Sequence, residues 1–179
     1  PEEFLAIGES AETLKKQYVL EADLDFSTLP SGEFAVRGTF SGELNGNGHS
    51  ISGLDAVLFE KMDGASVTDL TITDSNLTAD TQKGALANEI RNSTVEKIRV
   101  KNLVIENDAN QAGGLAGIIS GSEVRKISVE DISIRANNTI GGIAGQFDGR
   151  ILEDCIVTET LEGTSRHQMG ARVGGITGW

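Results

Sequence analysis

From Val67 to Val157 the apolar positions fall into a recurring phrase of the form V-x-x-I-x-V. Val67, Leu70, Ile72 and Leu77 form one set, Val95, Ile98, Val100 and Ile105 the next, and Val124, Ile127, Val129 and Ile134 a third. Leu152, Cys155 and Val157 form a fourth, whose later part weakens. The steps from Val67 to Val95, to Val124 and to Leu152 are 28, 29 and 28 positions. A second series keeps the same time. Leu58, Leu86, Leu115 and Ile143 stand 28, 29 and 28 apart, and Ile176 follows after 33. The later anchors sit in a small-residue phrase: GALAN at Gly84–Asn88, GGLAG at Gly113–Gly117, GGIAG at Gly141–Gly145 and GGITG at Gly174–Gly178.

Between each anchor and its apolar set lies a turn. Its second residue is Gly64, Asn92, Gly121 or Gly149. Gly and Asn tolerate positive φ, so a left-handed corner is expected at one point in each repeat. A unit near 28 residues, with three short strands and such a corner, is one coil of a parallel β-helix. The pattern predicts an all-β, right-handed parallel β-helix (solenoid). Rungs of such a stack lie about 4.8 Å apart, so equivalent residues sit on top of one another. Outward positions then complement each other across coils. One series reads Asp69, Lys97, Lys126, Asp154; its neighbour reads Thr68, Glu96, Arg125, Glu153; and Lys101 stacks with Glu130. Each such pair is worth only about 0.2–1 kcal/mol, so the series fixes register rather than stability. The Leu or Ile of the glycine phrase points inward, and the small residues beside it stand where coils approach closely. Cys155 takes the slot of Leu70, Ile98 and Ile127, which predicts a buried, unreactive thiol.

The first segment has another rhythm. PEEFLAI suits a short N-terminal helix, and YVLEADLDF alternates like a strand. An open solenoid end exposes core and strand edge, so residues 1–30 are expected to form a cap and residues 31–179 the β-helix repeats. Both ends read as cut from a longer protein, with the repeats truncated at the C-terminus.

Composition narrows the reading. Gly supplies 22 of 179 residues and aromatics only 4%, so the core must be aliphatic. The formal net charge of −12 argues against a nucleic-acid partner, which needs a basic footprint. No apolar run reaches the roughly 18 residues of a membrane span. The single Cys excludes an internal disulfide.

Little catalytic chemistry stands out. The two His, His49 and His167, lie in no H-E-x-x-H motif, and no cofactor or metal site is expected in this segment. His49 reads as a turn residue. The coil faces carry charges of alternating sign that look self-paired, unlike the carboxylate grooves of β-helix enzymes that cleave acidic polysaccharides. The longest loop, after Val157, holds Arg166, His167 and Arg172 on an otherwise acidic chain, and is the candidate partner-binding loop.

The phrases GGLAG, GGIAG and GGITG, each with its turn and apolar run, resemble GLUG-type repeats. FSGELNGNGHSISGL followed by VLFEKM is similar to the segment that opens such repeats in Gram-positive surface proteins. From about Tyr18 to Trp179 the combination most resembles the N-terminal, non-catalytic region of streptococcal immunoglobulin A proteases and related zinc metalloproteases. The resemblance implies a secreted, cell-wall-attached parent, extracellular in location, whose zinc motif lies downstream. It implies a host protein, immunoglobulin A or another, as the parent's substrate, and the remainder of the parent chain as a partner. It carries no catalytic residue onto this segment. The expected role is to position the protease or dock its substrate; the alternative is an adhesin-type stalk or binding module.

Overall fold

The structure, a computed structural model, describes residues 1–29, 35–77, 83–106, 110–158, 162–163 and 172–178, and of 162–163 and 172–173 the backbone alone. A short helix, α1 (Glu2–Leu5), and two 3-10 turns (Ala6–Gly8 and Thr13–Lys15) lead into strands β1 (Gln17–Val19) and β2 (Leu24–Asp25). The next coil holds β3 (Val36–Phe40), β4 (Glu43–Asn45) and β5 (Ser50–Ser52). Then come β6 (Phe59–Asp63) and β7 (Ser66–Leu77), and after them β8 (Ala87–Arg91), β9 (Thr94–Glu106) and β10 (Gln111–Gly113). The following coil has β11 (Ala116–Ser120), β12 (Glu123–Ala136) and β13 (Thr139–Gly141). The last has β14 (Ala144–Asp148), β15 (Ile151–Glu153), β16 (Ile156–Val157), β17 (Glu162–Gly163) and β18 (Arg172–Gly174).

These strands pair in parallel, each with its equivalent one coil away. One sheet runs β3-β6-β8-β11-β14, another β1-β4-β7-β9-β12-β15, and a third β10-β13-β18. The register is the one the apolar phrase predicts. Val67, Val95, Val124 and Leu152 form a ladder, and Leu70, Ile98 and Ile127 form the next. Apart from Leu152, all of these are buried. The protein is a parallel β-solenoid with coils of about 28 residues. Burying one Val, Leu or Ile contributes roughly 1.5–3 kcal/mol, so the inward ladders dominate its stability.

The anchors Leu58, Leu86, Leu115 and Ile143 are fully buried and joined by backbone hydrogen bonds from rung to rung. Their flanking glycines are small for a reason of space. A Cβ on Gly114 would stand 2.4 Å from the Gly142 carbonyl oxygen, and one on Gly142 would stand 2.3 Å from that of Gly175.

The corners depart from the expectation in number and in kind. Gly64, Asn92 and Gly121 do adopt positive φ, at 70°, 46° and 57°. Gly149 does not; its neighbour there is the outer end of the partly exposed Phe147 ring. Two further left-handed columns exist, at Asp69, Lys97, Lys126 and Asp154, and at Asp74, Asn102 and Asp131. The long strands β7, β9 and β12 are thus bent twice, and one coil has more faces than three straight strands would give.

Buried polar groups are paired between rungs. The Ser93 hydroxyl accepts from the Ala65 N–H at 3.0 Å, and the Ser122 hydroxyl accepts from the Ser93 N–H at 3.0 Å. Ser75 takes the place that Leu103 and Ile132 hold in later coils, and its hydroxyl receives the Leu54 N–H.

At the N-terminal end rings replace ladders. Phe4 of α1 meets Phe26 edge-on at 5.8 Å, and Phe40 stacks on Phe59 at 4.6 Å. β1 and β2 hydrogen-bond to β4 and β5, so residues 17–25 also extend the sheet by one rung.

Candidate functional site

Of the candidate loop, Arg166 and His167 lie outside the described residues. Arg172 opens β18, where its backbone pairs with Thr139 on β13. Of the same loop, Glu162–Gly163 pair with Arg135–Ala136 on β12.

The other residues singled out by sequence have separate surroundings. His49 Nδ1 stands 3.4 Å from Asp23 Oδ1. The Asp23 carboxyl is held below the usual carboxylate range, chiefly because it accepts the Ser50 N–H at 2.7 Å, with His49 contributing less. Cys155 is half-buried rather than buried, because among the described residues no further strand stacks on its outer side. Partial burial still pushes its thiol up, which disfavours the reactive thiolate. Among the described residues no group of three or more His, Cys, Asp or Glu is placed to hold a metal ion.

Outward charges pair across rungs, though not always with the expected partner. Arg125 reaches Glu153 at 3.3 Å and Glu123 at 2.7 Å, and Arg135 reaches Glu106 at 3.0 Å. Lys101 stacks over Glu130 in register but turns to Asp131, at 4.0 Å. Lys126 crosses to Glu96 at 2.7 Å. This contact lowers the Glu96 carboxyl and raises the Lys126 ammonium, through its hydrogen bond first and its charge second. The expectation that the coil faces are self-paired holds only in part. Among the described residues no acidic side chain lies within ion-pair distance of Lys97 or Arg99.

Among the described residues are two concavities of note. The larger, about 610 Å³, opens at the N-terminal end between α1 and the β1–β2 segment. Phe4, Ile7, Tyr18, Leu20 and Leu24 line it, and Glu3 and Glu21 are among its acidic residues. The smaller, about 280 Å³, is a groove beside the second corner column, where Lys97, Arg99 and Lys126 come together. Sequence reasoning took Lys97 and Lys126 as members of a charge ladder and passed over Arg99. The signal was present, since two like charges follow each other at one ladder position.

With this geometry in view, the model of the M26 IgA1-specific metallo-endopeptidase N-terminal region matches residues 11–102. The chain belongs to that family. Over 182 residues it is 29% identical to the immunoglobulin A1 protease of Streptococcus sanguinis, covering 92% of this chain and 10% of that protein. Over 168 residues it is 26% identical to the immunoglobulin A1 protease of Streptococcus pneumoniae serotype 4, covering 90% of this chain and 7% of the relative. The chain thus spans a tenth or less of the length of these curated relatives. A crystal structure from Bacteroides ovatus, itself provisionally assigned as an immunoglobulin A1 protease, aligns over 90% of this chain and 77% of its own. The identity there is 14% and the TM-score 0.41. The fold of this M26 N-terminal-region member rests on its own ladders. Among its described residues no helix is long and apolar enough to cross a membrane.

Proposed function

We propose that this M26 N-terminal-region segment is a non-catalytic β-solenoid domain of a larger secreted, cell-wall-attached zinc metalloprotease. Its role there is to position the catalytic part or to dock the host-protein substrate. The observation that carries the reading is the unbroken register of the inward ladders from β7 through β12, which makes a stiff body. Stiffness suits a part that must hold two other bodies at a set distance. The zinc and its ligands belong, on this reading, to a domain outside this chain. Immunoglobulin A enters as the substrate because both streptococcal relatives carry it in their names.

Surface resonance of the purified domain against human immunoglobulin A, at low and at physiological salt, tests the docking role. Saturable binding supports it and directs mutagenesis to Arg166, His167 and Arg172. Absence of binding at both salt levels removes docking of this substrate and leaves the positioning role. That remainder is tested by replacing the domain in the whole protease with an unrelated rigid spacer. Unchanged cleavage would reduce the domain to a stalk.

A further inference from the structure

The groove beside the second corner column runs along three successive coils and reaches Gly48 on the coil before them. One wall is the left-handed column Asp69, Lys97 and Lys126; the other is the column Thr71, Arg99 and Ser128 on the adjoining face. Leu70 and Ile98 form its floor. Two rung steps make it about 10 Å long, parallel to the solenoid axis.

Its charge runs against the rest of the molecule. The chain carries a formal charge of −12, yet three cations meet here beside one lining carboxylate, Asp69. Among the described residues, Lys126 alone of the three has a carboxylate at bonding distance, on Glu96. Lys97 and Lys126 occupy the same ladder position one rung apart, a like-charge step that stability alone opposes. Both also hold φ at 54°, which a lysine adopts at some cost in backbone energy. The fold sets that corner, since Asp69 and Asp154 share it; it leaves the like-charge step unexplained, and an anion held between the two lysines and Arg99 would offset that repulsion. The guanidinium offers a planar fork of donors that matches a sulfate or carboxylate. Thr71 and Ser128 place hydroxyls on either side of Arg99 in the same column. The Ser128 hydroxyl donates to Glu130 at 2.5 Å and keeps its acceptor capacity.

The surroundings select the ligand class. The backbone beneath the groove is paired in the β7-β9-β12 ladder, so an extended peptide finds no strand edge to join. Leu70 and Ile98 are only 2% and 1% exposed, so the floor offers no pocket for an apolar side chain. A long nucleic acid would meet the negative field of the whole chain. A short, hydroxyl-rich anion lying along the axis satisfies both walls. We propose that this groove binds an anionic saccharide of about disaccharide length, with its sulfate or carboxylate on Lys97 and Arg99 and its hydroxyls on Thr71 and Ser128. This site needs no protein partner and stands apart from the docking role above.

The test is a titration of the intact chain, followed by NMR and calorimetry, with a sulfated heparin disaccharide, sialyllactose and inorganic sulfate. The double variant K97N/R99T removes both cations with residues the stack already uses, since Asn102 holds a left-handed corner and Thr71 precedes Arg99 in its column. An unchanged melting temperature confirms its fold. The expected result is binding of at least one sugar, with shifts at Thr71, Lys97, Arg99 and Ser128. The double variant should weaken it at least about tenfold, as loss of charge-assisted hydrogen bonds requires, and added salt should weaken it as well. Preference for the sulfated or the carboxylated sugar names the anionic group. No binding of either sugar, equal binding by the double variant, or equal affinity for free sulfate would overturn the proposal.

Discussion

The central coils and the N-terminal end solve the same problem of burial with different means. In the centre of β9 each inward residue lies between equivalents on β7 and β12: Val95 between Val67 and Val124, Ile98 between Leu70 and Ile127, Val100 between Ile72 and Val129. One residue type repeats, and β-branched aliphatics serve because stacked rungs present the same surface each time. At the N-terminal end there is no rung beyond β1 in its sheet, and the neighbour must be improvised. Phe4, on a helix of four residues, covers Phe26 with the edge of its ring and also meets Phe59. Periodic burial needs only a short alphabet, whereas terminal burial needs large side chains placed once.

The contrast is sharpened first by Ile127→Asp. The carboxylate would lie between Ile98 and the last coil with no partner, a loss of more than about 4 kcal/mol. Thermal melting should show no cooperative transition at room temperature; a melt like that of the wild type would disprove the register. Second in size is Phe4→Ala, expected at about 2–3 kcal/mol, below the usual buried Phe loss because the cavity opens toward the N-terminal cleft. Hydrogen exchange should quicken in β1–β5 while amides of β9 and β12 keep their protection. A uniform loss across all coils would show that the end is not energetically separate.

The smallest effect is electrostatic. Asp23 ties the N-terminal segment to Ser50 and His49, and its folded pKa is lowered, first by the Ser50 N–H. A lowered carboxyl pKa contributes stability that is present above the ordinary aspartate value, near about 3.9, and is lost as pH falls through the folded value. Asp23→Asn should therefore lower the melting temperature slightly at neutral pH and not at all in strong acid. An equal difference at both ends of that range would assign the effect to packing.

The period, the ladders and the role of the glycine phrase were legible in the sequence because burial repeats with the chain. The left-handed columns at Lys97 and Asn102 were not, since neither charge nor size marks a lysine as a corner residue. Their trace was a broken alternation. Glu96 and Lys97 stand together between inward Val95 and Ile98, and Lys101 and Asn102 between inward Val100 and Leu103. Two outward residues in succession turn a strand. The groove escaped notice for the same reason: without the bend at Lys97, Arg99 would sit on a flat face. The half-exposure of Cys155 depends on what stacks beyond it, which no local pattern records, whereas Ile156 is exposed because it takes the outward place of Ser128.

All backbone hydrogen bonds between coils point along the axis of the solenoid. A tether pulling on the two ends would load them in series, so a coil would peel off whole before its neighbour yielded. Each release would lengthen the tether by about 95 Å, the extended reach of 28 residues, against the 4.8 Å or so the coil spans when stacked. Under tension such a domain behaves as a row of mechanical fuses that absorb a jolt stepwise.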